Sequence, residues 1–471
     1  MVGHVVALDF GATSGRVILG EVGPDQLRTA THARFTNRAV SVRGCLHWDV
    51  LSLWQGALDG LTSAIREVPT VSSVATDTWG VDYGLLRDGQ LLGNPRHYRD
   101  ERTDAAMERV QSLSTQAEQY AATGIQFMPI NTIYQLATDA AEKRLALADT
   151  VLLMPDLFTY WLSGARVAET TMASTTGLLD VHSRQWSDTL LDVAGVQREL
   201  LPDLVVPGTR VGELDPDVAK QVRAESPIEV VAVGSHDTAS AVTAIPMQPE
   251  NAAFISCGTW GLAGVELETP VVTEAARTDG FTNEAGVDGR ILLMRNVMGL
   301  WILSEAVRQW ERDGDTISLP ELIAAASAVT ETMPVVDVDD PRFLAPGNMP
   351  RRIAEWCTEH GLRVPANRAE MARCIIESLA QAFADAVLSA SSLGDVPVQK
   401  IHIVGGGSLN RLLCQRTADR SGIPVLAGPV EATALGSVLV QARAMGHISG
   451  SLDSLRDLVQ RTHHPVTYTP Q

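Results

Sequence analysis

Lysine is almost missing from this chain: Lys143, Lys220 and Lys400 are the only three among 37 basic residues in a sequence of 471. They follow Glu142, Ala219 and Gln399, so no Gly-Lys dipeptide exists and the lysine-bearing phosphate loop of P-loop NTPases is excluded. No G-x-S-x-G elbow occurs, which disfavours a serine hydrolase. Cysteine is sparse and odd in number, five residues without a Cys-x-x-Cys, so neither a zinc site nor a secreted disulfide framework is built. Cys357 and Cys374 are expected to be reduced packing residues. The His463-His464 pair lacks the ligand count a metal needs. No apolar run approaches a membrane span, and Asp9 interrupts the apolar start, which carries no early Lys or Arg. A cytoplasmic protein without a signal peptide is expected. The net charge of −19 argues against nucleic acid or an anionic membrane as partner, but not against ATP, which local arginines and backbone donors can hold.

What the chain does have is glycine in two short hairpins. The first is Val5-Val6-Ala7-Leu8-Asp9-Phe10-Gly11-Ala12-Thr13-Ser14-Gly15-Arg16-Val17-Ile18; the second is Ala253-Phe254-Ile255-Ser256-Cys257-Gly258-Thr259-Trp260-Gly261. Each reads as strand, tight turn, strand. Successive N–H groups in such a turn form an anion site, and the hydroxyls add donors. Most single turns of this kind are plain hairpins; the pair is more telling, because each opens a separate half of the chain. A third cluster, Val404-Gly405-Gly406-Gly407-Ser408, joins a strand to a helix and is either a flexible joint or a surface for a flat base.

At 471 residues, with 45% apolar and 20% charged residues, the chain is globular and too long for one core. Strands are predicted at 4–10, 15–22, 29–36, 71–76, 228–233, 400–404 and 424–426, with helices near 50–67, 369–393, 409–420 and 431–445. Residues 103–200 read as mainly helical. Pro246 and Pro249 precede the second hairpin and mark a boundary between residues 1–245 and 246–471. Alternating strands and helices mean α/β layers.

Phosphoryl transfer needs a held polyphosphate, a metal ion and an oriented nucleophile. Asp9 can orient Mg²⁺ or bond the amides of its own turn. Asp237, between a strand and a helix, can be a helix N-cap or a proton acceptor. His236 can bond a substrate hydroxyl or pack. Trp79 and Asp82, with Arg99, Asp100 and Arg102, form a polar and aromatic cluster suited to a polyol, or else surface charges and a turn cap. Asn296 can cap the following helix or bond a sugar hydroxyl.

Taken together, these motifs resemble those of the FGGY carbohydrate kinases, within the actin-like ATPase superfamily, from about residue 4 to 446. Leu8 to Arg16 is similar to the family's first phosphate motif, Ser256 to Trp260 to its second, Val404 to Gly407 to its adenosine motif, and Gly428 to Gly436 to its C-terminal signature. The segments Asp77 to Asp82, Tyr98 to Thr103, Gly124 to Leu136 and Ser235 to Ala241 are similar to members that act on L-rhamnulose. The resemblance implies a two-lobed actin-like ATPase (ribonuclease-H-like) α/β fold with a central interdomain cleft, the sugar bound chiefly by the first domain and the nucleotide by the second. It implies ATP-dependent phosphorylation of the 1-hydroxyl of L-rhamnulose, with ATP and Mg²⁺, in a monomer or small homo-oligomer. Asp237 would be the proton acceptor, with Gly80, His236, Thr238 and Asn296 near the sugar; the polyol cluster adds Trp79 and Asp82. Ala12, Thr13, Ser14, Gly15, Arg16, Gly258, Thr259, Ser304 and Gly406 would lie near ATP, and Asp9 near the metal. Two positions depart from the pattern: Cys257 replaces a serine, and Ser304 replaces a larger polar residue. Rival readings are a kinase for xylulose, fuculose, ribulose or another polyol, an actin-like ATPase without a sugar, and a sugar-responsive regulator, for which Asp9 leaves no preceding DNA-binding helix.

Overall fold

The computed structural model describes residues 2–471. Its chain forms two compact units that are not contiguous in sequence. The first runs to Pro246 and takes in Leu267–Leu293 and Ala432–Thr462; the second holds Met247–Glu266, Met294–Glu431 and His463–Gln471. The first break therefore falls beside the proline boundary. The later exchanges of chain between the units fall at 266/267, 293/294, 431/432 and 462/463.

The first unit is built on a six-stranded sheet in the order β5–β6–β4–β1–β2–β3, where β1 is Gly3–Phe10, β2 Ser14–Gly23, β3 Gln26–Thr36, β4 Val71–Thr78, β5 Arg210–Glu213 and β6 Glu229–Val231. The β1–β2 hairpin is antiparallel and pairs Asp9 with Arg16; β1 and β4 are parallel and pair Asp9 with Asp77. Helix α1 (Val50–Glu67) starts where Asp49 accepts a hydrogen bond from Ser52 N–H at 3.2 Å, and ends at extended Val68, which precedes Pro69. Its buried Leu53, Ala57, Leu58, Leu61, Ala64 and Ile65 recur at helical spacing and cover one sheet face. Val5, Ala7, Ile18 and Val22 on β1 and β2 pack with Leu435, Val438 and Leu439 from the helix Ala432–Ala444. Strand β1 is buried on both sides, hence its almost unbroken apolar run. The region 103–200 is mainly helical as expected, with a core of its own around Val110, Ile133, Leu136, Leu190 and Leu191.

In the second unit the strands follow the order Gly261–Leu267, Ala252–Cys257, Lys400–Val404, Val425–Ala427, Val466–Tyr468. The first two form the expected antiparallel hairpin, and Ala252–Cys257 is parallel to Lys400–Val404. The 27-residue helix Arg368–Gly394 does reach the length and apolar content of a membrane span, contrary to the sequence reading. Its Met371, Ile375, Leu379, Phe383 and Val387 are buried, which makes it a core helix of this unit.

Candidate active site

The first glycine turn is braced from beneath. Gly11 N–H donates to the Ser14 carbonyl at 2.9 Å, Asn37 N–H to the Thr13 carbonyl at 3.0 Å, and the Asn37 amide to the Gly11 carbonyl at 2.9 Å. Thr13 is exposed while Ala12, Ser14 and Arg16 are half-buried, so the turn presents its backbone and hydroxyls outward. Gly15 has another task. It is buried, and a Cβ there would lie 2.2 Å from the Phe35 ring, so its missing side chain admits that ring. Asp9, just below the turn, is 2% exposed and ion-paired with Arg16 at 2.7 Å. Burial raises its carboxyl above the ordinary value, Arg16 pulls it back, and Asp237 pushes it up again.

Asp77 opens the segment Asp77–Asp82 but carries no role in the motifs above. It is fully buried, and no hydrogen bond of normal geometry reaches either oxygen, although Ser437 lies close. Burial, then Asp9, then Asp237 push its carboxyl well above the usual range. Two adjacent strands and the start of a helix thus crowd Asp9, Asp77 and Asp237 together, and each raises the others' cost of ionisation.

Asp237 is the first residue of helix α2 (Asp237–Thr243). The cap position belongs to His236 and no side chain caps the helix, so the N-cap alternative for Asp237 is not realised. Its side chain is 35% exposed, open enough for a ligand to reach. Oδ1 accepts from the Thr238 hydroxyl at 3.2 Å, and Thr238 itself is buried. The loop before it is tied to the sheet: Thr78 N–H donates to the Ser235 carbonyl at 2.9 Å. Glu169 grips the same loop from behind, accepting from Ser235 N–H at 3.0 Å and from the Thr171 hydroxyl, while Thr171 Oγ1 accepts from His236 N–H at 3.3 Å. His236 Nδ1 is ion-paired with Glu284 at 2.9 Å, and its Nε2 lies 3.4 Å from Asp237 Oδ1. A Cβ built on Gly80 would sit 3.4 Å from that Nε2 and 3.5 Å from Thr175 Oγ1. Glycine therefore keeps this edge of the imidazole open. Gly80, His236, Asp237 and Thr238 are brought together.

Asp82 differs from its expected place beside the sugar. It is fully buried; Oδ2 accepts from both indole N–H groups, Trp48 at 2.5 Å and Trp79 at 2.9 Å, and Oδ1 from Gln135 at 2.9 Å. Burial raises its carboxyl to about 6 despite those bonds. With both oxygens engaged, Asp82 positions aromatics and leaves no acceptor for a sugar. Trp79 is 4% exposed and stacks near Trp48, centroids 4.1 Å apart, and Trp48 stacks on His97 at 3.9 Å. Between Gly80 and Asp82, Val81 has φ +69°, unusual for a β-branched residue, and Asp82 N–H bonds the Gly80 carbonyl at 3.0 Å. The Thr132 hydroxyl, bonded to the Val81 carbonyl at 2.7 Å, holds this tight turn in place.

In the second unit, Gly258 N–H donates to the Trp260 carbonyl at 2.8 Å, and the Gly258 and Thr259 carbonyls accept from Leu300 and Trp301 at 3.1 Å each. Cys257 is buried. A Cβ on Gly407 would lie 2.3 Å from its sulfur, so the thiol points into the glycine cluster and away from the turn's outer surface. The Cys257 departure therefore leaves that surface unchanged. Gly405 has φ +77°, and nothing lies within 4 Å of a Cβ placed on Gly406, which is exposed. Exposed Gly258 and half-buried Thr259 complete an open backbone surface. Asn296 is half-buried and does not cap the next helix, whose cap is Leu300; Ser304 is half-buried in that helix, Trp301–Arg312. Among the described residues no group of three or more His, Cys, Asp or Glu is arranged to hold a metal ion.

Two family models cover most of the chain: the N-terminal domain of the FGGY family of carbohydrate kinases matches residues 4–244 and its C-terminal domain residues 253–445. The chain belongs to the FGGY family of carbohydrate kinases. A relative from Bacteroides thetaiotaomicron named rhamnulokinase is 41% identical over 468 residues, spanning 99% of this chain and 95% of its own. Another of that name, from Pectobacterium carotovorum, is 41% identical over 480 residues, spanning 99% and 93%. Among solved structures, a gluconate kinase from Lactobacillus acidophilus has a TM-score of 0.80 at 18% identity, covering 100% of this chain and 94% of that one. A Plasmodium falciparum glycerol kinase with ADP has a TM-score of 0.77 at 13% identity, with coverage of 100% and 94%. At such identities the likeness is one of fold. As an FGGY kinase the protein is a phosphotransferase acting on a sugar, with ATP as co-substrate.

Three buried acids at the site, Asp77, Glu169 and Glu284, had no role in the sequence reading. No local signal marks Glu284: the stretch Phe281-Thr282-Asn283-Glu284-Ala285 has no apolar alternation, and its burial at every position comes from the fold.

Proposed function

We propose that this chain is a cytoplasmic kinase of L-rhamnose catabolism that transfers the terminal phosphoryl group of ATP to the 1-hydroxyl of L-rhamnulose, giving L-rhamnulose 1-phosphate and ADP. The observation that carries the reading is the 41% identity, over nearly the whole chain, to proteins named rhamnulokinase. In this reading Asp237 accepts the hydroxyl proton. Burial raises its basicity while His236 restrains the rise. Phosphoryl transfer demands little early proton removal, so a carboxylate suffices as acceptor. His236, Thr238, Gly80 and Asn296 contact the sugar, with Trp79 held as an apolar wall by Asp82. The outward turns at 12–16 and 258–259, with Gly406, contact ATP. Ser304, shorter than the residue usual there, makes at most a small contribution to the nucleotide.

One or two of the carboxylates of Asp9, Asp77 and Asp237, not a cage of three, would suit a divalent cation completed by water and phosphate. Magnesium commonly takes one or two carboxylates and completes its shell with water and phosphate. Asp9 is the residue that would hold it or its water shell, and positive charge there relieves the crowding with Asp77 and Asp237. When bound, the ion neutralises phosphate charge.

An ADP-release assay across a ketose panel tests the reading. L-Rhamnulose is expected to give the highest kcat/KM; a preference for xylulose, fuculose or ribulose overturns the substrate, and ATP hydrolysis indifferent to sugar overturns the activity.

A further inference from the structure

Behind His236 stands a group to which no role has been given. Glu284, in the strand Phe281–Ala285, is 6% exposed, and its Oε2 lies 2.9 Å from His236 Nδ1. On the other side of the ring, Nε2 is 3.4 Å from Asp237 Oδ1 and faces the open side of Gly80. The three side chains form a line: glutamate, imidazole, aspartate. In a neutral imidazole an acid that holds the proton on one nitrogen leaves the other as an acceptor; only the charged ring donates from both. We infer that Glu284 is a positioning residue, whose carboxylate, ion-paired with Nδ1 of His236, holds the ring in its doubly protonated form with Nε2–H directed at Asp237 and the adjoining substrate space. Glu284 does not reach the reacting atoms; it acts through the imidazole. The inference rests on the kinase reading above and extends it by one residue.

The electrostatics agree with the geometry. Burial by itself lowers the basicity of His236. Glu284 most, then Asp237 and Glu169, outweigh it and raise the ring to about 9. The charged groups facing the ring are these three acids, one from the strand Phe281–Ala285, one from the start of α2 and one from the end of the strand Val167–Glu169. With the ring charged, Asp237 is drawn toward its ionised form, against burial and the neighbouring acids.

A double-mutant cycle on the full chain separates this role from a purely structural one. Glu284→Gln keeps the shape and removes the charge; Glu284→Ala removes both; His236→Gln removes the ring. Loss of an orienting partner behind a functional histidine is on the scale of 10–100-fold, so Glu284→Gln should lower kcat by about that factor with KM for ATP unchanged. In the His236→Gln background the same change should cost less than about threefold, because the group it acts through is gone. Multiplying effects in the double variant, or a kcat for Glu284→Gln within about twofold of wild type, overturn the inference. A second readout needs no turnover and no alanine variant. In ¹⁵N-histidine spectra at pH 7.5, assigned through His236→Gln, both ring nitrogens of His236 should be protonated in the wild type, and one should lose its proton in Glu284→Gln. An unchanged His236 signal refutes the role of Glu284 even if the ketose panel identifies another sugar; loss of the preference for L-rhamnulose with a changed signal refutes only the substrate.

Discussion

Gly436 offers a sharp test of how the catalytic loop is supported. It lies in the helix Ala432–Ala444, which packs on α2, the helix that begins with Asp237. A Cβ built at Gly436 would stand 1.8 Å from the Ser240 carbonyl oxygen and 2.6 Å from its carbon. Ordinary contact begins near 3.4 Å, so the helices would have to part by roughly 1.5 Å at this point. Two effects oppose each other in Gly436→Ala. Helix propensity favours alanine by about 1 kcal/mol. Overpacking costs about 1–3 kcal/mol, and a backbone oxygen, which cannot swing aside, places this case at or above the upper end. The net expectation is a loss of about 2 kcal/mol, or a fall in Tm of roughly 2–4 °C for a unit of this size. Because α2 carries Asp237 on its first residue, its displacement should lower kcat as well, and a misplacement near 1 Å can cost about a hundredfold. Calorimetry and steady-state kinetics on the same preparation read both effects. An unchanged or raised Tm would mean that propensity wins and that the helix contact is looser than drawn; a fall in Tm with wild-type kcat would detach the contact from catalysis.

The remaining predictions are more local. Asp237→Asn should lower kcat by about 10²–10⁴-fold, the range for loss of a general base, with ATP affinity retained by calorimetric titration; turnover near wild type removes Asp237 from its role. Gly80→Ala should fold normally, since its Cβ meets only side-chain atoms at 3.4 and 3.5 Å, yet raise KM for the ketose about tenfold or more by narrowing the space before His236; an unchanged KM places the sugar elsewhere. Asp156 is 2% exposed beside Glu169, and burial first, then the Glu169 charge, raise its carboxyl well above 3.8. An acid raised in this way carries no penalty below its unfolded value and a growing one as pH climbs above it, at about 1.4 kcal/mol per pH unit until the folded value is passed. Asp156→Asn, which keeps the acceptor for Glu169 N–H at 3.2 Å, should therefore match wild-type Tm near pH 4 and exceed it by pH 7; a Tm difference that stays flat across that window argues that Asp156 is ionised without cost.

Local pattern carried the elements well. Helix α1 lies at Val50–Glu67, where its apolar spacing and the Val68-Pro69 stop put it, and the strand at Lys400–Val404 coincides with its β-branched run before three glycines. The two hairpins are present because Gly, Ser and Thr in a tight turn between apolar runs have few other outcomes. What local pattern could not carry is partnership across the sequence. Nothing near Ala432 announces that its helix returns to the first unit to cover β1, because an amphipathic face says only that it will be covered.

The same limit explains the fate of Asp82 and Glu284. In sequence Asp82 stands beside Trp79 and Gly80, and an acid next to an aromatic suits a sugar as well as it suits an indole N–H. The choice is made by Trp48, over thirty positions away, which brings a second indole and leaves Oδ2 with two donors. Glu284 is the reverse case: its strand is buried but polar, with Thr282 and Asn283 beside it, and nothing local sets Glu284 apart until the fold brings His236 alongside. A buried acid must be paired or neutral, so each buried acid in such a chain poses a question about a distant residue. At this site the answers divide by chemistry: acids met by fixed donors, as Asp82 is by two indoles, hold walls in place, and an acid met by a titratable ring, as Glu284 is, sets the charge of the group that faces the substrate.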